Sequence, residues 1–124
     1  MAKAKVKPPT TGDFSHLSNW QKFILRHSHP LNLAFHFVSF LMFYSGLLLP
    51  ILTGNLWWLA LFLFSGRVGA IGHWASGEGE ITWTEGTIDI RVPYYVTMIF
   101  YRIARGTYFA EVHRLQEKLG YYKK

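Results

Sequence analysis

The stretch RHSHPLNLAFH, Arg26 to His36, places His27, His29, Asn32 and His36 within eleven residues and runs directly into an apolar segment. A further histidine, His73, lies near the end of the next apolar segment, in GRVGAIGHW. Neutral imidazole binds iron, zinc, copper and nickel well. The chain has no cysteine, so disulfides, thiolate metal sites and a cysteine nucleophile are excluded. Any tight transition-metal site must then use histidine and carboxylate. Ionisable groups in or beside a membrane span are costly and by default mark function. His27, His36 and His73 are therefore the expected ligands of a divalent metal. His29, beside Pro30, and His113, near the C-terminus, are further candidates, and His16 belongs to the leader.

These residues must be carried by helices. Half of the 124 residues are hydrophobic and 18% are aromatic, more than a small soluble domain can bury, and they crowd between Leu31 and Ile71. The pattern predicts an all-α, multi-pass membrane protein, a transmembrane helical hairpin with interfacial amphipathic helices. Residues 1–17 read as a disordered basic leader, with Lys3, Lys5, Lys7 and Pro8-Pro9. The first long apolar run starts too far from these charges for a cleaved signal peptide. Residues 18–124 form one helical membrane domain. Ser18 and Gln21 fit a capping box. Trp20, Phe23, Ile24 and His27 then share one face of a short helix that Pro30 stops at about His29.

Leu33 to Leu52 carries no Asp, Glu, Lys or Arg, and about twenty residues at 1.5 Å each cross a hydrocarbon core. Thr53-Gly54-Asn55 reads as a tight turn, and residues 56–72 as the second span, interrupted by Arg67. The turn is uncharged, whereas Lys22, Arg26, Arg91, Arg102 and Arg105 flank the hairpin, so both termini are expected to be cytoplasmic, in a bacterial inner membrane or the endoplasmic reticulum. The net charge of +6 fits anionic lipid headgroups as partners. No nucleic-acid motif is present, and none is expected as a partner. Residues 81–92 alternate and admit either a β-hairpin or, preferably, an interfacial loop. The apolar piece 94–103 is short for a span and is expected to be re-entrant or interfacial. Phe109, Val112, Leu115 and Leu119 make the stripe of a tail helix over 108–119.

In a helical hairpin, depth follows distance from the turn. His36 lies about 18 residues before its middle and His73 about 19 after it, so their depths agree within a few Å. Asn32 shares the face of His36, and His27 reaches the same level if the chain bends at Pro30. Three elements thus bring three imidazoles together near the cytoplasmic surface.

At these residues the sequence resembles a known family. FILRHSHPLNLAFHFV, with His27, Asn32 and His36, and the Gly72-His73 pair are similar to the membrane-bound 2-hydroxy fatty acid dioxygenases of fatty acid α-oxidation and their bacterial relatives. The resemblance covers roughly residues 20–75. It implies Fe(II) on His27, His36 and His73, a catalytic role for Asn32, and molecular oxygen and a 2-hydroxy fatty acid as reactants. The acid would lose one carbon, its head near Arg26 or Arg67 and its tail between the helices. The family's glutamate four residues after the Gly-His histidine is Gly77 here, which makes the neighbouring Glu78, or Glu80, the candidate carboxylate ligand. Two other functions fit the same residues. One is a haem-binding electron carrier with His36 and His73 as axial ligands. The other is a non-catalytic membrane module whose histidines only satisfy hydrogen bonds.

Overall fold

The computed structural model describes residues 16–78 and 91–119. All regular structure among them is helical: α1 (Asn19–Leu25), α2 (Pro30–Thr53), a 3-10 turn (Leu56–Trp58), α3 (Leu59–Ser76), α4 (Arg91–Ala104) and α5 (Tyr108–Lys118). Most of the leader, residues 79–90 with Glu80, and the C-terminus from Gly120 lie outside the described residues.

α1 begins where the sequence signals it. Ser18 Oγ accepts the Gln21 N–H at 3.1 Å, and Gln21 Oε1 accepts the Ser18 N–H at 3.0 Å, which satisfies donors left open at the helix start. The helix ends at Leu25, four residues short of the expected His29. The cause is His27. Its ring Nδ1 lies 2.6 Å from Phe23 O, the carbonyl that its own N–H would take in a continuing helix. The His27 N–H turns to Ile24 O instead, closing a tighter turn.

α2 starts at Pro30, whose missing N–H is harmless in the first turn. It ends at Gly54, in left-handed conformation, and Asn55 Oδ1 accepts the Trp57 N–H to open the return. α2 and α3 pack along their length as an antiparallel pair, with Ser39 Oγ donating to Ser65 O at 2.6 Å. Both helices are long and apolar enough to cross a membrane. Their large side chains face outward: Ile51 is 80% exposed, Leu52 68%, Leu63 70% and Trp74 85%.

The buried core lies at one end of this hairpin. Leu17, Phe23, Ile24 and Leu25 meet Leu33, Val96, Ile99, Tyr108, Val112 and Leu115 there. The core starts with Leu17, so that residue belongs to the helical domain and not to the leader. Glu111 ties the three short helices together: it accepts from Trp20 Nε1 at 2.9 Å and pairs with Arg102, whose guanidinium lies over the Trp20 ring.

α4 is longer than the expected apolar piece and starts at Arg91, so Val92 is helical and not part of a strand. The ring and hydroxyl contacts that it makes with α2 come from Thr97 and Phe100, one turn, against Phe37, Phe40 and Tyr44. These contacts span one turn of α4 and two turns of α2. In α5 the buried stripe is Tyr108, Val112, Leu115 and Gln116, while Phe109 is exposed. Tyr108 takes the inner place because its hydroxyl reaches a buried carbonyl.

Candidate metal centre

His27 follows α1, His36 lies two turns into α2, and His73 lies one turn before the end of α3. One nitrogen of each ring falls within 4.8 Å of one on each of the others. The ring centroids are 4.4 Å (His27–His36), 4.6 Å (His27–His73) and 4.9 Å (His36–His73) apart, all nearly perpendicular. The cluster lies at the core end of the hairpin, with His27 and His36 buried.

The protons on these rings follow from their neighbours. His27 Nδ1 faces Phe23 O at 2.6 Å, His36 Nδ1 faces Asn32 O at 2.9 Å, and His73 Nδ1 faces Glu78 O at 3.1 Å. A carbonyl oxygen only accepts, so each Nδ1 is the donor and each Nε2 keeps a lone pair. Metal-binding histidines are commonly oriented in this way, by an acceptor on the ring nitrogen that faces away from the ion. Burial, reinforced by the imidazoles of His36 and His73, pushes the pKa of His27 well below its usual 6.5 and keeps the ring neutral.

Asn32 is fully buried and ties the elements together. Its amide nitrogen lies 2.7 Å from Arg26 O, 3.4 Å from Glu78 Oε1 and 3.2 Å from His73 Nδ1. A primary amide has two hydrogens. With His73 Nδ1 donating to Glu78 O, those two go to Arg26 O and Glu78, and the third contact needs none. The same assignment leaves Asn32 Oδ1 buried with no hydrogen-bond partner among the described residues. Gly69 and Gly72 let the two helices come this close. A Cβ at Gly72 would lie 2.6 Å from Asn32 Oδ1, and one at Gly69 would lie 3.1 Å from His36 Nε2.

Of the remaining expected site residues, His29, His113 and Arg67 fall elsewhere. His29 is exposed and caps α2, its Nδ1 accepting the Leu31 N–H at 3.1 Å, so that nitrogen is spent on the helix start. His113 is on the outer face of α5, 3.4 Å from Glu117. Arg67 is exposed on α3, two residues from both Ser65 and Gly69, which puts it about 200° of helix away from the face that meets α2. It does not line the histidine cluster. Arg26 caps α1 and reaches the cluster through its backbone carbonyl. Asn32 is fully buried, and its amide links Arg26 O, Glu78 and the His73 ring.

Two participants, Ser28 and Tyr108, were not singled out from the sequence. Ser28 and the His29 N–H bind the Glu78 carboxylate, and Tyr108 Oη donates to His27 O at 2.6 Å. Ser28, between two histidines, carried a local signal. Tyr108 is 81 residues from its partner, and no spacing rule connects them.

Fold and site together define a class, a helical hairpin with three imidazoles gathered at its core end. Comparison with protein-family models, curated proteins and solved structures gave no significant match.

Proposed function

We propose that this chain is an integral membrane metalloprotein that holds Fe(II) on His27, His36 and His73 and shortens 2-hydroxy fatty acids by one carbon. The observation that carries the metal reading is a single distance. His27 Nε2 and His36 Nε2 lie 3.1 Å apart, each with its Nδ1 proton committed to a carbonyl. Two lone pairs at that separation repel. A proton between them would make a buried imidazolium, which desolvation opposes. A divalent cation accepts both lone pairs, and the third imidazole within 4.8 Å completes its protein ligands. Three edge-on rings also crowd the space that a macrocycle between two axial histidines would need, which favours a bare ion over haem.

The dioxygenase assignment rests on the resemblance of residues 20–75, and the chemistry balances without a further reductant. A 2-hydroxy acid and O2 give the acid one carbon shorter, carbon dioxide and water. C1 and C2 together lose the four electrons that O2 takes up. Bound Fe(II) would supply the redox and Lewis-acid chemistry. The chain's own part is to fix the three imidazoles, hold their tautomers and exclude water through the core above them.

The exposed apolar surface of α2 and α3 supports insertion. A core helix of a soluble protein would bury side chains such as Ile51 and Leu63, which stand outward here. The flanking charges support an orientation with both termini and the histidine end on the cytoplasmic side. There an amphipathic acid can present its head to the site while its tail stays in lipid. α4 packs against α2 through Thr97 and Phe100 and is read as an interfacial helix.

The test is metal analysis of detergent-purified wild type beside His36→Ala and His73→Ala, followed by incubation with a long-chain 2-hydroxy acid in air and under argon. The expected result is one iron per chain in wild type only, and an oxygen-dependent acid shorter by one carbon. Equal metal content in all three proteins would refute the centre. Iron without turnover would refute the dioxygenase and leave a metal site of other purpose.

A further inference from the structure

Glu78 sits where a carboxylate ligand was expected, and its contacts point elsewhere. Gly77 ends α3 in left-handed conformation, φ 74°, a turn that favours glycine and sends the chain back toward α1. The Glu78 carboxylate then meets the loop between α1 and α2. Oε2 accepts from Ser28 N at 3.0 Å and Ser28 Oγ at 2.7 Å, and Oε1 accepts from His29 N at 2.6 Å. Oε1 also faces the Asn32 amide at 3.4 Å. The Asn32 amide that Oε1 faces, and the Glu78 carbonyl, both lie against Nδ1 of His73, and Glu78 is not among the residues whose ligand atoms cluster within 4.8 Å. The lone pair of His73 is on Nε2. The carboxylate is therefore behind the ring, with four donors converging on its two oxygens.

We propose that Glu78 is the positioning residue of the metal centre and not one of its ligands. This rests on the three-histidine reading above. One residue governs all three imidazoles. Its carbonyl fixes the tautomer of His73. Its carboxylate holds Asn32, whose carbonyl fixes His36. Through Ser28 and His29 it anchors the loop that begins with His27. A carboxylate drawn onto the ion would abandon four donors to do so, and charge-assisted hydrogen bonds are the stronger kind. The ion therefore keeps three neutral ligands and its full charge of two, which suits an anionic chelating substrate better than a site already carrying a carboxylate.

The experiment is a Co(II) and Fe(II) titration of the full-length, detergent-purified chain, comparing wild type, Glu78→Gln, Ser28→Ala and the double variant. Glu78→Gln keeps the shape but turns an N–H2 toward N–H donors. Positioning predicts one ion per chain throughout, unchanged Co(II) ligand-field bands, and affinity weakened about 10- to 100-fold by Glu78→Gln, the scale typical of outer-shell partners. Ser28→Ala weakens it less, and the double variant is no weaker than Glu78→Gln, because the two side chains act through one contact. In the metal-free protein, amide exchange at Ser28 and His29 speeds up in Glu78→Gln while helix content holds. Shifted bands in Glu78→Gln with an unaffected Ser28→Ala would make Glu78 a ligand and overturn the proposal. So would unchanged affinity in Glu78→Gln. A wild type that binds neither metal overturns the three-histidine reading and this proposal with it, and the metal-free exchange data then show whether the Glu78 clamp exists on its own.

Discussion

Replacing Gly69 by alanine puts a methyl carbon 3.1 Å from His36 Nε2, 3.5 Å from its Cδ2 and 3.6 Å from its Cε1. The three distances are close because the carbon would lie over the ring face, beside the ligand nitrogen. The contact is too tight by a few tenths of an ångström, and His36 must yield, since Gly69 is fixed in α3. The ring is held from behind at 2.9 Å by Asn32 O, so the shift falls on Nε2. Metal sites tolerate about 0.2 Å in ligand distance. A displacement of that size or more predicts a loss in affinity of at least about tenfold, comparable to losing an outer-shell partner. Gly66→Ala is the control: it lies on the same helix with nothing within 4 Å of its added carbon. In an exposed helix interior, alanine is preferred over glycine by about 1 kcal/mol, so Gly66→Ala should hold metal normally in a slightly more stable protein. The assay is competition for Fe(II) or Co(II) against a chelator of known affinity, with circular dichroism to show intact helices. Equal affinities in Gly69→Ala and Gly66→Ala would refute the placement of the ion beside His36 Nε2.

Tyr108→Phe removes the hydrogen bond to His27 O and leaves a buried carbonyl unpaired, a loss of about 1–3 kcal/mol that thermal or denaturant unfolding of the metal-free protein should register. The metal-free protein should also be acid-sensitive in a defined window. His27 has a folded pKa below its unfolded value of 6.5, so the stability that its neutral burial contributes is complete above about pH 6.5 and falls as pH drops toward the folded value. A melting temperature that is flat above pH 7 and declines below 6.5, with a smaller decline in His27→Gln, is the expected result. The absence of cysteine allows topology to be read from single introduced thiols. Asn55→Cys should react with an impermeant maleimide from outside the cell, and His113→Cys only after permeabilisation. The reverse pattern would overturn the proposed orientation.

The hairpin and the convergence of its histidines were legible because both depend on counting. Apolar length gave α2 and α3, and equal distance from the turn put His36 and His73 level. His27 joined them because Pro30 breaks the chain where a bend is needed. What escaped depended on contacts that no period encodes. The early end of α1 comes from one ring nitrogen competing for a carbonyl. The exposure of Phe109 follows from Tyr108 being drawn inward by a partner in a different element. Arg67 was expected to serve the site because it interrupts an apolar span, but its angle around α3 turns it outward, and only the identity of the face that meets α2 reveals that. Glu78 was recognised as important by position, while its role depends on Gly77 reversing the chain.

The bond from Tyr108 to His27 also has a consequence for biosynthesis. All three clustered histidines emerge from the ribosome well before residue 108, yet the backbone at His27 is not fully satisfied until α5 docks. A nascent chain that has already formed α2 and α3 therefore still lacks the piece that locks the earliest of the three rings. Closure of the backbone around His27 waits for α5, and chains truncated after α4 are expected to bind metal less tightly than the full chain in a Co(II) titration.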